Sequence, residues 1–248
     1  MASPTHQFEI KPLIELQLSG VDLSFTNSSL WMVIAAFLSI AFFAMASRKN
    51  AMVPTRIQAV TEICYAFIAN MVRENIGTHG RQYFPLVFTL FMIVFLGNAL
   101  GLLPYAFTYT SHIAVTGALA LMVFIMVVII GIFKHGMHFF SLFLPPGVPL
   151  WLMPLVIPIE ILSFAIRPIT LSVRLFANMI AGHILLKVIA GFSVSMISMG
   201  LAGYALGVLP MLFNVLLIGF EFLIAFLQAY VFAILSCIYL KDTVELEH

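Results

Sequence analysis

Glu160, Arg167, Arg174, His183, Lys187 and Glu221 all lie inside the two long apolar stretches at the C-terminal end of the chain, where a hydrophobic helix should exclude them. A charge held at the centre of a bilayer costs about 2.5 to 3.5 kcal/mol on insertion scales, so side chains kept there mark ion or proton pathways. Their spacing is ordered. Glu160, Arg167 and Arg174 recur every seven residues and Asn178 follows one turn later, so at about 100° per residue the four share one narrow stripe of a helix. On the second stretch Glu221 and Gln228 are also seven apart and nearly aligned.

The chemistry open to such a set is proton transfer. His183, Glu221 and Glu160 can take up and release protons, whereas Arg174 stays charged at any physiological pH. A fixed cation repels a proton hopping straight through, and it favours the ionised form of a carboxylate brought beside it. With His183 and Glu221 towards one side, Glu160 towards the other and Arg174 between them, the set describes two offset half-channels separated by an electrostatic barrier. A moving carboxylate from another chain must complete the path.

The elements that position these residues are long. Pro149 to Phe192 and Ala205 to Leu240 are about 44 and 36 residues, and as continuous helices they would reach roughly 66 and 54 Å against a hydrocarbon core of about 30 Å. Tilting, bending or extension beyond the bilayer must absorb the excess. Pro154, Pro158 and Pro168 supply possible kinks in the first. The two read as reclining helices joined by a turn containing Gly200 and Gly203. In an antiparallel hairpin, the numbers of residues at equal depth add to a nearly constant total. By that rule His183 is level with Glu221, Arg174 is level with Gln228, and the turn falls near residue 202.

The rest of the chain reads as scaffold. Residues 1–29 form an N-terminal extracytoplasmic segment without the basic-then-apolar leader and small-residue cleavage site of a signal peptide. Residues 30–47 are an uncharged run long enough to span. Arg48, Lys49 and Arg56 follow at once, so the positive-inside rule puts this end in the cytoplasm and the N-terminus outside. Over 54–80, Ile57, Val60, Ile63, Cys64, Phe67, Ile68 and Met71 recur at helical spacing among Arg56, Glu62, Arg73 and Glu74, which predicts an amphipathic interfacial helix. Residues 83–133 make a helical hairpin. Pro104 ends its first limb, Tyr105 and Tyr109 suit the interfacial aromatic belt, and Lys134 and His135 return the chain to the cytoplasmic side.

Composition agrees. Of 248 residues 62% are hydrophobic and 8% charged, and mean hydropathy is +1.12, whereas soluble domains carry about 25% charged residues. The fold class is therefore all-α and polytopic, with residues 1–248 as a single membrane domain. A net charge of +1 without a dense basic cluster argues against a nucleic-acid partner. Cys64 and Cys237 are far apart and in no metal-binding spacing, so both read as buried apolar residues and no metal or cofactor is expected.

Several of these residues also admit plainer roles. Lys187 suits a snorkelling position near a helix end. Arg167 is either an interfacial anchor or part of the cytoplasmic half-channel, and Asn98 in an apolar span is either a secondary candidate for the proton path or a residue that ties helices together by hydrogen bonding. His112, His135 and His138 sit in or beside loops where no ligand role is needed. The Phe- and Met-rich faces are lipid-contact or packing surface.

The run SVRLFANMIAGHILL, Ser172 to Leu186, resembles the signature of subunit a of F-type ATP synthases. Phe95 to Tyr105 (FLGNALGLLPY), Ile159 to Arg174 (IEILSFAIRPITLSVR) and Phe220 to Leu240 match the same family in order and spacing. The resemblance implies that Arg174 is the stator arginine facing the carboxylates of a rotating c-ring, with Asn178 and Gln228 as polar neighbours. It also assigns Glu160 to the cytoplasmic half-channel and His183 and Glu221 to the outer one. His followed by Glu is the order of mitochondrial members, so the implied site is a bacterial inner membrane or, alternatively, that of a mitochondrion. The implied partners are the c-ring, the peripheral-stalk b subunits, the remaining ATP synthase subunits, membrane lipid and the transported H⁺.

Two other classes share the charge pattern. A proton- or ion-coupled secondary transporter also concentrates ionisable groups near the midplane, but commonly as two repeated halves. The first half of this chain is almost free of membrane charge. A membrane subunit of a redox-driven proton pump is the third reading. Nothing resembles a P-loop, so the chain is expected to be non-catalytic by itself, with nucleotide chemistry left to a partner.

Overall fold

The computed structural model describes residues 8–15, 17–18, 21–22, 24–47, 54–103, 106–136, 139, 143, 149, 151–198 and 201–244. Arg48, Lys49, Pro104, Tyr105, His138 and Gly200, which carry parts of the topology, helix-end and turn readings above, lie outside these residues. The chain is an all-α polytopic membrane protein. Among the described residues, five helices are long and apolar enough to cross a membrane.

The N-terminal segment holds two short antiparallel pairs that hydropathy does not reveal. β1 (Pro12–Ile14) pairs with β4 (Phe25–Thr26), and β2 (Gln17–Leu18) with β3 (Val21–Asp22). They explain why α1 (Asn27–Ser47) starts three residues before the apolar run. The Asn27 amide donates to the Glu9 carbonyl at 3.1 Å and accepts from the Lys11 amide at 3.2 Å, so the first helical residue is tied back to the strand segment.

α2 (Arg56–Ile76) begins at Thr55, whose hydroxyl accepts from the Gln58 amide. It ends four residues before the expected boundary. Gly77 takes φ +73°, a left-handed conformation glycine adopts without penalty, and a 3₁₀ segment, Gly77–Tyr83, follows. This segment folds back on α2 so closely that a Cβ at Gly80 would lie 2.9 Å from Val72 and 3.0 Å from Ile76. The apolar stripe of α2 also divides. Ile68, Met71, Val72 and Ile76 are buried, whereas Ile57, Val60 and Ile63 are exposed. Cys64 is only half-buried, against the expectation, because it lies on the exposed part; Cys237 is fully buried.

α3 (Phe84–Gly101) and α4 (Ile113–His135) come next along the chain. α5 (Met153–Ile197) and α6 (Leu201–Val244) follow, with 45 and 44 residues, and touch each other within each of the chain's two compact units. Both stay helical through their prolines, Pro158 and Pro168 in α5 and Pro210 in α6. At 1.5 Å per residue each runs about 66 Å, twice what one perpendicular crossing needs.

The chain packs as two compact units. In the unit made of 1–44, 92–112 and 175–229, Leu175, Met179, Ala225 and Ala229 are fully buried, and Phe95 meets Phe222 and Phe226 edge-on. Near the turn of the long hairpin the Ser193 hydroxyl donates to the Gly207 carbonyl at 2.7 Å. In the unit made of 45–91, 113–174 and 230–248, Phe124, Phe139 and Phe143 surround Phe164, and the Thr116 and Ser172 hydroxyls meet at 3.1 Å. Lys134 Nζ and His135 Nε2 lie 3.1 and 3.2 Å from the carbonyl of Val244, the last residue of α6. Basic side chains placed at the last described turn of a helix complement its C-terminal carbonyls and its dipole.

Candidate functional site

The ionisable residues of α5 and α6 divide between the two units. In the unit that contains Arg174, the stripe of α5 begins with Glu160, half-buried and without an ion pair among the described residues. Arg167 is tightly held. Its Nη1 donates to Asp242 Oδ2 at 2.8 Å, and its guanidinium lies over the Phe164 and Tyr239 rings at 5.5 and 5.1 Å. A fork paired with a carboxylate and set over two rings is the geometry of an anchor. Arg174 differs. It is exposed, forms no ion pair among the described residues, and sits beside exposed Val173 on an apolar helix.

In the other unit α5 continues with Asn178, whose Nδ2 donates to Gln228 Oε1 at 2.9 Å. Gln228 is buried, so this bond satisfies a carbonyl that lipid could not. Glu221 is also buried, and its carboxylate lies directly against Gly182. A Cβ at that position would collide with Oε1 and come within 2.8 Å of Cδ. Neither carboxylate oxygen has a hydrogen-bond partner among the described residues. Glu221 therefore sits beside the residue that precedes His183, but does not bond to the imidazole. His183 Nε2 instead meets Thr108 Oγ1 at 2.9 Å, and Phe8 approaches the ring edge-on. Lys187, one turn further, is exposed, which suits a snorkelling side chain.

Two expectations are corrected in this unit. Asn98 is fully buried, yet neither its amide nitrogen nor its oxygen has a hydrogen-bond partner among the described residues, so it does not tie helices together there. Tyr109 is no interfacial belt residue. It is 2% exposed and its hydroxyl donates to the Ile93 carbonyl at 2.9 Å. The cause is a pair of glycines one turn apart on α3. A side chain at Gly97 would collide with the Tyr109 ring and one at Gly101 with Thr108, so their absence lets the connection after α3 fold back onto the helix. Burial raises the Tyr109 hydroxyl above its ordinary range, which keeps it a donor, and lowers the imidazole of His112, stacked on Phe107.

Asp242, Tyr239, Gly182 and Thr108 thus belong to the surroundings of the site although the charge pattern alone does not single them out. Asp242 had a signal, an acid within two turns of the end of α6 that could compensate a membrane arginine. Thr108 had a weaker one, its place in the polar run Thr108 to His112 between two apolar spans.

A sequence profile described as ATP synthase A chain matches residues 29–241. Proteins named ATP synthase subunit a are similar over nearly the whole chain. That of Rhodospirillum rubrum is 54% identical over 99% of this chain and 100% of its own length. The counterpart from Rhizobium leguminosarum bv. trifolii is 53% identical over 97% and 96%, and that from Chelativorans sp. 54% over 99% and 98%.

Proposed function

This chain belongs to the ATP synthase A chain family, and from that premise we propose that it is the proton-conducting stator subunit of the membrane sector of an F-type ATP synthase. A proton enters from the outer side past His183 and Glu221 and neutralises a carboxylate of the c-ring. The neutral carboxylate rotates through lipid. After nearly a full turn it reaches the half-channel near Glu160 and releases its proton as it approaches Arg174, whose charge favours the ionised form. Asn178 and Gln228 hold the polar wall beside that passage. The chain itself carries no nucleotide chemistry. It works with the c-ring, the b subunits and the remaining subunits in a bacterial inner membrane, N-terminus periplasmic and C-terminus cytoplasmic.

The observation that carries this reading is Arg174, an exposed residue of a predominantly apolar helix with no ion pair among the described residues. A cation so presented to lipid calls for an anionic partner from outside the chain. Arg174→Ala in the complete complex, assayed as ATP-driven proton pumping in inverted vesicles, should abolish pumping while assembly persists. Arg174→Lys should be badly impaired, since a point charge does not reproduce the guanidinium fork. Near-normal pumping by the alanine variant refutes the assignment.

A further inference from the structure

Thr108 touches two groups with one hydroxyl. Its Oγ1 lies 3.2 Å from the Gly101 carbonyl and 2.9 Å from His183 Nε2. Gly101 is the last residue of α3, so its carbonyl is among those that no amide of the helix can reach. A threonine hydroxyl has one proton and two lone pairs. The carbonyl can only accept, so the proton goes to Gly101 and a lone pair faces the imidazole. His183 must then carry its hydrogen on Nε2 and leave Nδ1 as the basic nitrogen.

The setting is built rather than incidental. Thr108 is 5% exposed, Ser111 Oγ donates to the Thr108 carbonyl, and Gly101 gives the threonine side chain space that any Cβ would close. We propose that Thr108 is a positioning residue for proton conduction, fixing the tautomer of His183 so that the ring exchanges protons through Nδ1. This rests on the reading that His183 conducts protons.

A charge-assisted hydrogen bond is stronger than a neutral one, so the acceptor at Nε2 favours the imidazolium over the neutral ring. Among the described residues, the charged and titratable groups on the elements around His183 include Lys187 on its own helix, Glu221 on α6, Tyr109 and His112 in the connection that carries Thr108, and Glu9 beside Phe8. A substitution at Thr108 replaces none of them.

The test is the pH profile of ATP synthesis by the whole complex in vesicles, with the pH varied on the side from which protons enter. Thr108→Val keeps the shape and removes the acceptor, and should move the alkaline limb of the profile acidward by about one pH unit. Thr108→Ser keeps both hydrogen bonds and should leave the limb where it is in the wild type. An unshifted valine variant, or a serine variant shifted as far as valine, overturns the proposal. Thr108→Ala also removes the acceptor and should show the same acidward shift, so it carries the test if the valine variant does not assemble. His183→Ala is run beside them. Wild-type synthesis there would overturn the conducting role of His183 itself, whereas impaired synthesis together with an unshifted valine profile overturns the role of Thr108 alone.

Discussion

Gly182→Ala adds one methyl group at the point where α5 and Glu221 come closest. The new Cβ would collide with Oε1 of Glu221 and lie 2.8 Å from Cδ and 3.2 Å from Cγ. Carbon atoms pack best at about 3.5 to 4.0 Å, so the carboxylate must withdraw by roughly 1 Å. Overpacking of this kind costs about 1 to 3 kcal/mol, and a misplacement of about 1 Å at a reacting group slows a step by roughly a hundredfold. Alanine is also the better helix former by about 1 kcal/mol, so the helix itself should not suffer and any loss is local to the carboxylate. ATP-driven pumping in inverted vesicles, normalised to the amount of assembled complex, should therefore fall about ten- to a hundredfold. Glu221→Asp shortens the side chain by one methylene and should slow pumping alone, because the carboxylate then recoils from the helix. Combined with Gly182→Ala it makes room for the methyl and should recover rate beyond the product of the single effects, a coupling a double-mutant cycle measures. Wild-type pumping by Gly182→Ala, or a double variant no better than independent losses allow, refutes the reasoning.

Arg167→Ala should destabilise the detergent-solubilised complex more than Asp242→Asn does. The first removes the ring contacts and the pair together, whereas the second removes only a pair whose partners are 24% and 34% exposed and which is worth at most about 1 kcal/mol. Equal losses of thermal stability would show that the rings contribute nothing. Exchanging His183 and Glu221 for each other restores one acid and one imidazole on either side of Gly182. Each single change should impair pumping and the exchange should recover part of it, while strictly additive losses would mean the two positions are not coupled.

The membrane class, the succession of apolar helices and the set of ionisable residues on the last two were legible in the sequence, because hydropathy and helical period are local properties that need no partner to be read. The motifs from Ser172 to Leu186 and Phe220 to Leu240 identified the family for the same reason. The periodicity of one helix tells which side chains share a face and leaves open what that face meets. Gln228 bonds to Asn178, Arg167 to Asp242 and His183 to Thr108 because of distances between elements far apart in sequence. Depth matching put Glu221 near His183 but could not tell that the carboxylate packs against Gly182 without bonding to the imidazole. Tyr109 reads as an interfacial residue until Gly97 and Gly101 are seen to leave a groove into which the connection folds. Close approach at glycine and the pairing of buried polar atoms are decided by packing, and packing exists only once the helices have come together.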